Sequence, residues 1–291
     1  YEWRWKLKSS NSKFKIKTNN PRWKKEKSGC VLLWGEQGIG DQIQYLSLVP
    51  DFIDKVEKLI IKLDKRIIPL IKRSIDKSIE VIGKEDPIDE REYDYHLPIG
   101  SLPKFLRPSL KSFKTEKKLK LEFDKERSNK FRKQLLYKKY KKYIGISWKT
   151  TSKNSLINSI TLEKLITGIY SKDICFINLQ YGDVKDEINN VIAKLGVEIN
   201  EIDDLDIYND IDGLASLIGS CDEVVTIGNM TATLSGSLGI DTKVILPTNS
   251  YWPYGLKDKR SYWFPSMKLY RQVQRNEWDE PLNNIKKEII I

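Results

Sequence analysis

The sequence predicts an α/β fold made of two parallel-sheet units in tandem. Three observations carry this. Short apolar runs alternate with segments of helical periodicity from residue 29 to about 122, and again from 143 to about 247. The first run, Val31-Leu32-Leu33-Trp34, leads into a glycine turn, Gly38-Ile39-Gly40-Asp41, and then into the periodic set Ile43, Leu46, Val49, Phe52 and Ile53. A later run, Val224-Val225-Thr226-Ile227, leads in the same way into Gly228-Asn229 and a stretch of small residues. Strand, turn and helix with right-handed crossovers describe a Rossmann-like unit, and two of them imply parallel sheets facing a central cleft.

In chain order, residues 1–27 lack a clean period and read as an arm or junction. The first Rossmann-like domain spans 28–122, with strands expected at 30–34, 58–63, 79–82 and 118–122. Its helices are expected at 41–56, kinked at Pro50, and at 66–76. Pro98, Pro103 and Pro108 mark an irregular stretch holding a short helix at 101–106. Residues 123–142 read as a charged linker helix whose apolar side is Phe131 and Leu135-Leu136. The second Rossmann-like domain, 143–275, has strands expected at 143–148, 174–179, 223–227 and 243–247. Its helices are expected at 161–170, 183–195, 210–220 and 229–238. A last helix in 276–291 is expected to pack back on the first domain.

The chain has 291 residues, enough for two domains with ample cores. No stretch approaches the roughly 20 apolar residues of a membrane span. The opening Tyr-Glu-Trp-Arg-Trp-Lys is no signal peptide, and the absence of an initial Met fits a piece of a longer protein. Three separated cysteines, Cys30, Cys175 and Cys221, argue against a disulfide framework and for a reducing compartment. His96 is the only histidine, which argues against zinc and Ser-His-Asp chemistry. The net charge of +11 raises nucleic-acid binding. Interleaving of Lys with Asp and Glu favours solvated helix faces instead, with denser patches at 1–27 and 125–142.

Four stretches carry polar chemistry. At Gly38, Gly40 and Asp41, backbone N–H groups and a helix start can approach a ligand, and Asp41 either meets it or caps the helix. A dinucleotide fingerprint would need a third glycine where Ile43 stands, and a P-loop would need a Gly-Lys-Ser/Thr. Asp64, near the ribose-binding position of that fingerprint, reads as a helix cap. In the second stretch, Asn229, Met230, Thr231, Thr233, Leu234 and Ser235 form either a phosphate-friendly helix start or a well-capped helix packed through Gly236 and Gly239. The third, Ser147 to Asn154, offers Lys149 or Lys153 to a leaving phosphate, or is a solvated loop. The fourth is Gln180-Tyr181-Gly182-Asp183, at the end of the next strand. The acidic run Asp203-Asp204-Leu205-Asp206 reads as a solvated loop rather than a metal site. Tyr251-Trp252-Pro253-Tyr254 and Tyr262-Trp263-Phe264-Pro265 suit stacking on a base or sugar, or core packing.

Taken together these stretches resemble a known family. Leu33 to Gln44 is similar to the opening of the glycosyltransferase module found after tetratricopeptide repeats in many bacterial proteins. Tyr1 to Lys6 resembles the junction after those repeats. His96 to Pro103, Gly145 to Trp148, Leu179 to Asp183, Trp263 to Met267 and Trp278-Asp279 resemble its other landmarks, in order. The module is related to the ADP-heptose lipopolysaccharide heptosyltransferases of glycosyltransferase family 9.

The resemblance implies a GT-B-like fold, with an acceptor domain first and a nucleotide-sugar donor domain second. It implies sugar transfer without an obligatory metal and with no cofactor beyond the nucleotide-sugar substrate. Asp41 would be the base, and Asn229 to Ser235, with Lys149 or Lys153 and Gln180-Tyr181-Gly182, would bind the donor. Gly228 and Thr233 depart from the family's usual Asp and His.

The expected partners are a nucleotide-sugar donor and a glycan, lipid-linked or protein acceptor, with tetratricopeptide repeats upstream in a full-length protein and no nucleic acid. The expected location is cytoplasmic, with attachment to the inner-membrane periphery left open. The alternatives are a degenerate sugar-nucleotide or glycan-binding module, a nucleic-acid-binding protein, and a Rossmann oxidoreductase.

Overall fold

The computed structural model describes residues 2–6, 16–115, 119–135, 140–150 and 158–290, which form two compact units, Tyr1–Glu122 and Phe123–Ile291. In the first unit, strands β1 (Cys30–Trp34), β2 (Lys58–Leu63), β3 (Glu80–Gly83) and β4 (Tyr95–Pro98) form a parallel sheet in the order β3-β2-β1-β4. β1 is buried at every position, as an apolar strand covered on both faces must be.

The expected helix 41–56 is two helices, α1 (Ile39–Leu46) and α2 (Val49–Ile53). Pro50 has no N–H to offer the preceding turn, and the Ser47 carbonyl is taken by Leu119 N–H at 3.2 Å. Then come α3 (Ile68–Ser74), α4 (Leu102–Leu106) and α5 (Ser112–Thr115).

Two expectations change in this unit. The described part of the strand placed at 118–122, residues 119–122, is irregular. β4 lies instead in the stretch read as irregular because of its prolines. Pro98 closes the strand and sits on the sheet's edge, where a missing donor is tolerated. The expected arm also has structure. Arg22 bridges His96 in parallel, Trp23 N–H donates to His96 O at 3.0 Å, and His96 N–H donates to Pro21 O at 3.1 Å. Trp23 is buried, edge-on to Phe52 and Phe105 at 5.0 Å each. The segment therefore covers an edge that would otherwise be open to pairing.

The second unit opens with α6 (Lys125–Leu135), which buries Ser128, Phe131 and Leu135. Arg127 and Arg132 pair with Asp210 and Asp222, so part of the basic patch is balanced internally. The sheet then comprises β5 (Lys142–Ser147), β6 (Ile174–Asn178), β7 (Ile199–Asn200), β8 (Glu223–Ile227), β9 (Thr242–Leu246) and β10 (Met267–Arg271). Its order is β10-β9-β8-β5-β6-β7, parallel throughout. β7 and β10 are strands the sequence pattern did not separate from loops.

The helices of this unit are α7 (Leu162–Ile169), α8 (Lys185–Leu195), α9 (Ile211–Gly219), α10 (Met230–Ser237) and α11 (Asp279–Ile289). α7 is typical of them. The Thr161 hydroxyl accepts Lys164 N–H, and Leu162, Leu165, Ile166 and Ile169 make its buried stripe. The last helix was expected to pack on the first unit. Leu282, Ile285 and Ile289 on its apolar face, with Trp278 at its N-cap, instead join the core of the second unit with α7. Leu282 lies over Gly168, where any Cβ would stand 2.6 Å from it. Among the described residues, no helix is long and apolar enough to cross a membrane.

Candidate functional site

Each sheet has one place where the chain reverses its direction of strand addition. Open parallel sheets bind ligands outside the strand C-termini at that switch point. It falls between β1 and β4 in the first unit and between β5 and β8 in the second.

In the first unit, Gly38 is the N-cap of α1, so Gly40 and Asp41 lie in the helix's first turn. Asp41 is therefore not the cap. It is half-buried where the helix N-terminus favours a carboxylate. The approach to this turn is tightly held. Glu36, buried, accepts from Gly100 N–H at 3.2 Å across the switch point and from Arg4 at 2.6 Å. Arg4 also donates to the Ser101 hydroxyl, which bonds Glu2 at 2.7 Å and receives Arg22 at 2.5 Å. Burial pushes the Glu36 carboxyl above its usual range, and Arg4 is the main opposing influence.

Sequence reasoning missed this cluster. The available signal was a charged residue between a buried strand and a glycine turn, which can stay charged there only if paired. Asp64 caps the next turn through Arg66 N–H and pairs with the Arg66 side chain, which holds its carboxyl below the usual range.

In the second unit, three loops at the strand C-termini are bound together. Gln180 Oε1 accepts from the Ser147 hydroxyl, Trp148 N–H and Lys149 N–H at 2.8–2.9 Å. Asn229 Oδ1 caps α10 through Ala232 N–H at 3.2 Å, while its Nδ2 donates to Ser147 Oγ at 2.8 Å and to Lys149 O at 3.3 Å. Gln180 and Asn229 thus shape the site with their side chains rather than presenting them.

Thr231, Leu234 and Ser235 are fully buried, and Thr233 nearly so. Ser235 Oγ donates back to Thr231 O at 2.8 Å. What α10 offers a ligand is therefore the backbone of its first turn, at half-buried Met230 and its neighbours. The Lys149 ammonium pairs with Glu187 of α8, and Lys153 lies outside the described residues.

Beside these loops is a cavity of about 350 Å³, lined among others by Gln180, Tyr181, Gly182, Glu201, Asp206 and Tyr208. Gly182 turns the chain at φ +97, a left-handed conformation that suits glycine. Its neighbour Tyr181 tilts against Tyr208 with ring centroids 5.9 Å apart. Asn178 Nδ2 donates to Glu201 at 2.6 Å. Asp206 is engaged by Tyr208 N–H and Asn209 and serves its own turn. Among the described residues, no group of three or more His, Cys, Asp or Glu side chains is gathered as a metal site.

No family model matches the chain. Among curated proteins it is 25% identical over 274 residues to protein FlbA of Caulobacter vibrioides, covering 88% of this chain and 45% of that one. The chain thus spans less than half the length of that relative. Among solved structures, ADP-heptose lipopolysaccharide heptosyltransferase II of E. coli superposes with a TM-score of 0.61 at 10% identity, covering 89% of this chain and 95% of that one. A glycosyl transferase of family 9 from Veillonella parvula gives 0.56 at 10% identity, covering 92% and 91%. The fold is therefore that of these proteins: α/β, GT-B-like, with two Rossmann-like units.

Proposed function

We propose that this chain is a glycosyltransferase module that moves a sugar from a nucleoside-diphosphate sugar to an acceptor hydroxyl. The observation that carries the reading is the Gln180–Ser147–Asn229 chain of hydrogen bonds across the second sheet's switch point. It holds the first turn of α10 and the adjoining cavity in a fixed arrangement at the edge where such sheets take ligands. In this reading the diphosphate lies on the first-turn amides from Met230 onward, where backbone dipoles stabilise charge developing on the leaving group. The nucleoside enters the cavity beside Tyr181, with Glu201 available to its ribose hydroxyls.

Asp41 is the base. It accepts the acceptor hydroxyl's proton as the oxygen attacks the anomeric carbon and the bond to the diphosphate breaks. The fold likeness to an enzyme named for ADP-heptose supports a nucleotide-sugar donor. The sugar, the acceptor and any repeats preceding this chain in a longer protein lie within the same proposal. The test is Asp41→Asn, assayed with labelled nucleotide-sugars. Transfer should fall by about 10²- to 10⁴-fold while nucleotide binding is retained. Undiminished turnover would remove Asp41 from the role.

Two observations also keep a non-catalytic binding module as the second reading. Gly228 and Thr233 stand where the resembled family has Asp and His, and the Lys149 charge is already balanced by Glu187.

A further inference from the structure

We infer that Glu36 is a positioning residue for the Asp41 turn and that Arg4, delivered by the N-terminal segment 2–6, is the counter-ion that lets it act. The inference rests on the reading of Asp41 as the base. It makes the segment read as an arm into a working part of the acceptor-side site.

The loop from β1 to α1 is pinned at three successive points. Gly35 N–H donates to Lys62 O at 2.9 Å. Glu36 bonds Gly100 N–H and Arg4. Gln37 O receives Gln42 Nε2 at 2.7 Å. Only the middle pin depends on charge, and only it reaches across the switch point to the loop after β4. The Glu36 side chain is 1% exposed and that of Arg4 is 9%. With Arg4 removed, Glu36 would be a buried carboxylate facing backbone N–H groups alone, and it would either take up a proton or pull the loop toward water.

Further contacts hold Arg4 in place. Its guanidinium lies 4.6 Å from the Trp5 ring centroid, and Trp5 packs against Trp34 at 6.0 Å. Glu2 fastens the segment to Ser101 and Arg22. Residues 2–6 thus close over the first unit's switch point, with Arg4 in the crevice that is a ligand's usual place in such sheets.

The test compares wild type with Arg4→Gln, Arg4→Lys and Glu36→Gln by amide hydrogen exchange, nucleotide titration and transfer kinetics. In Arg4→Gln the amides of Gly35, Gln42 and Gly100, which are hydrogen-bonded around the turn, should exchange at least about tenfold faster, with those of β8 and α10 unchanged. Nucleotide affinity should be unchanged. Transfer kcat should fall by about tenfold or more at constant donor KM, and Arg4→Lys should recover part of both losses. Glu36→Gln keeps an acceptor for Gly100 N–H and removes only the charge. It should release residues 2–6 and loosen the turn in the same sense, and it serves if Arg4→Gln does not fold. Turn exchange unchanged in both charge-removing variants would overturn the inference. Faster turn exchange in a protein that transfers no sugar would support the positioning and count against the glycosyltransferase reading instead.

Discussion

The ring of Tyr254 lies against Gly228 so closely that a Cβ on Gly228 would stand 2.9 Å from Cε2 of the tyrosine, and 3.0 Å from Leu246. Tyr254 is buried, and its carbonyl accepts from Arg271, which also donates to the Ser250 hydroxyl at 2.6 Å. The glycine is therefore matched to its surroundings. Any side chain at this position would have to displace the tyrosine ring or Leu246.

From this, Gly228→Asp should not be accommodated without strain. It should destabilise the protein by about 1–3 kcal/mol through overpacking. Gly228→Asp combined with Tyr254→Ala should show strong coupling, the second change costing less beside the first than alone. Urea unfolding of the two single variants and the double variant measures this. Simple additivity would show that the ring yields without strain.

Gln180→Met should cost about 2–3 kcal/mol, because the buried Ser147 hydroxyl and Trp148 N–H lose their acceptor, and half-buried Lys149 N–H loses it with them. The same substitution should weaken nucleotide binding, because Gln180 lines the cavity and ties together the loops beside it. Retained affinity would mean that the three loops hold their arrangement without it.

How far these features could be read in advance depended on the kind of interaction. Elements with a clear period were legible: β1, β2, β5, α7 and α9 lie within two residues of expectation. β4 was hidden because Pro98 reads as a strand breaker until the sheet order places it on an edge. β10 was hidden because half-exposed Lys268 and Tyr270 break its apolar run. At the site, Asn229 was recognisable as a cap, since capping is local. The inward turn of Thr231 and the Arg4–Glu36 pair were not. The first depends on which face of α10 meets the sheet, and the second joins residues 32 apart in sequence.

His96 gives the first unit a pH response. Burial, followed by the neighbouring Arg22 charge, lowers its pKa below the ordinary value, and its Nδ1 accepts from Trp34 Nε1 at 3.1 Å. A histidine with a depressed folded pKa stabilises fully above its unfolded value, about 6.5. That contribution is lost as pH falls through the folded value, when Nδ1 gains a proton and can no longer accept. The single imidazole resonance should titrate below about 6.5. Acidification should cost the wild type about 1 kcal/mol more than His96→Gln. A pKa at or above the ordinary value would contradict this.

Calorimetric titration of the intact chain with ADP, GDP, UDP and CDP, each alone and as a sugar conjugate, reads the proposed donor site itself. One nucleotide should bind selectively at about micromolar affinity, Asp41→Asn should leave this unchanged, and Tyr181→Ala should weaken it. A folded protein that binds none of the four would contradict the claim that the second unit is a nucleotide-sugar site.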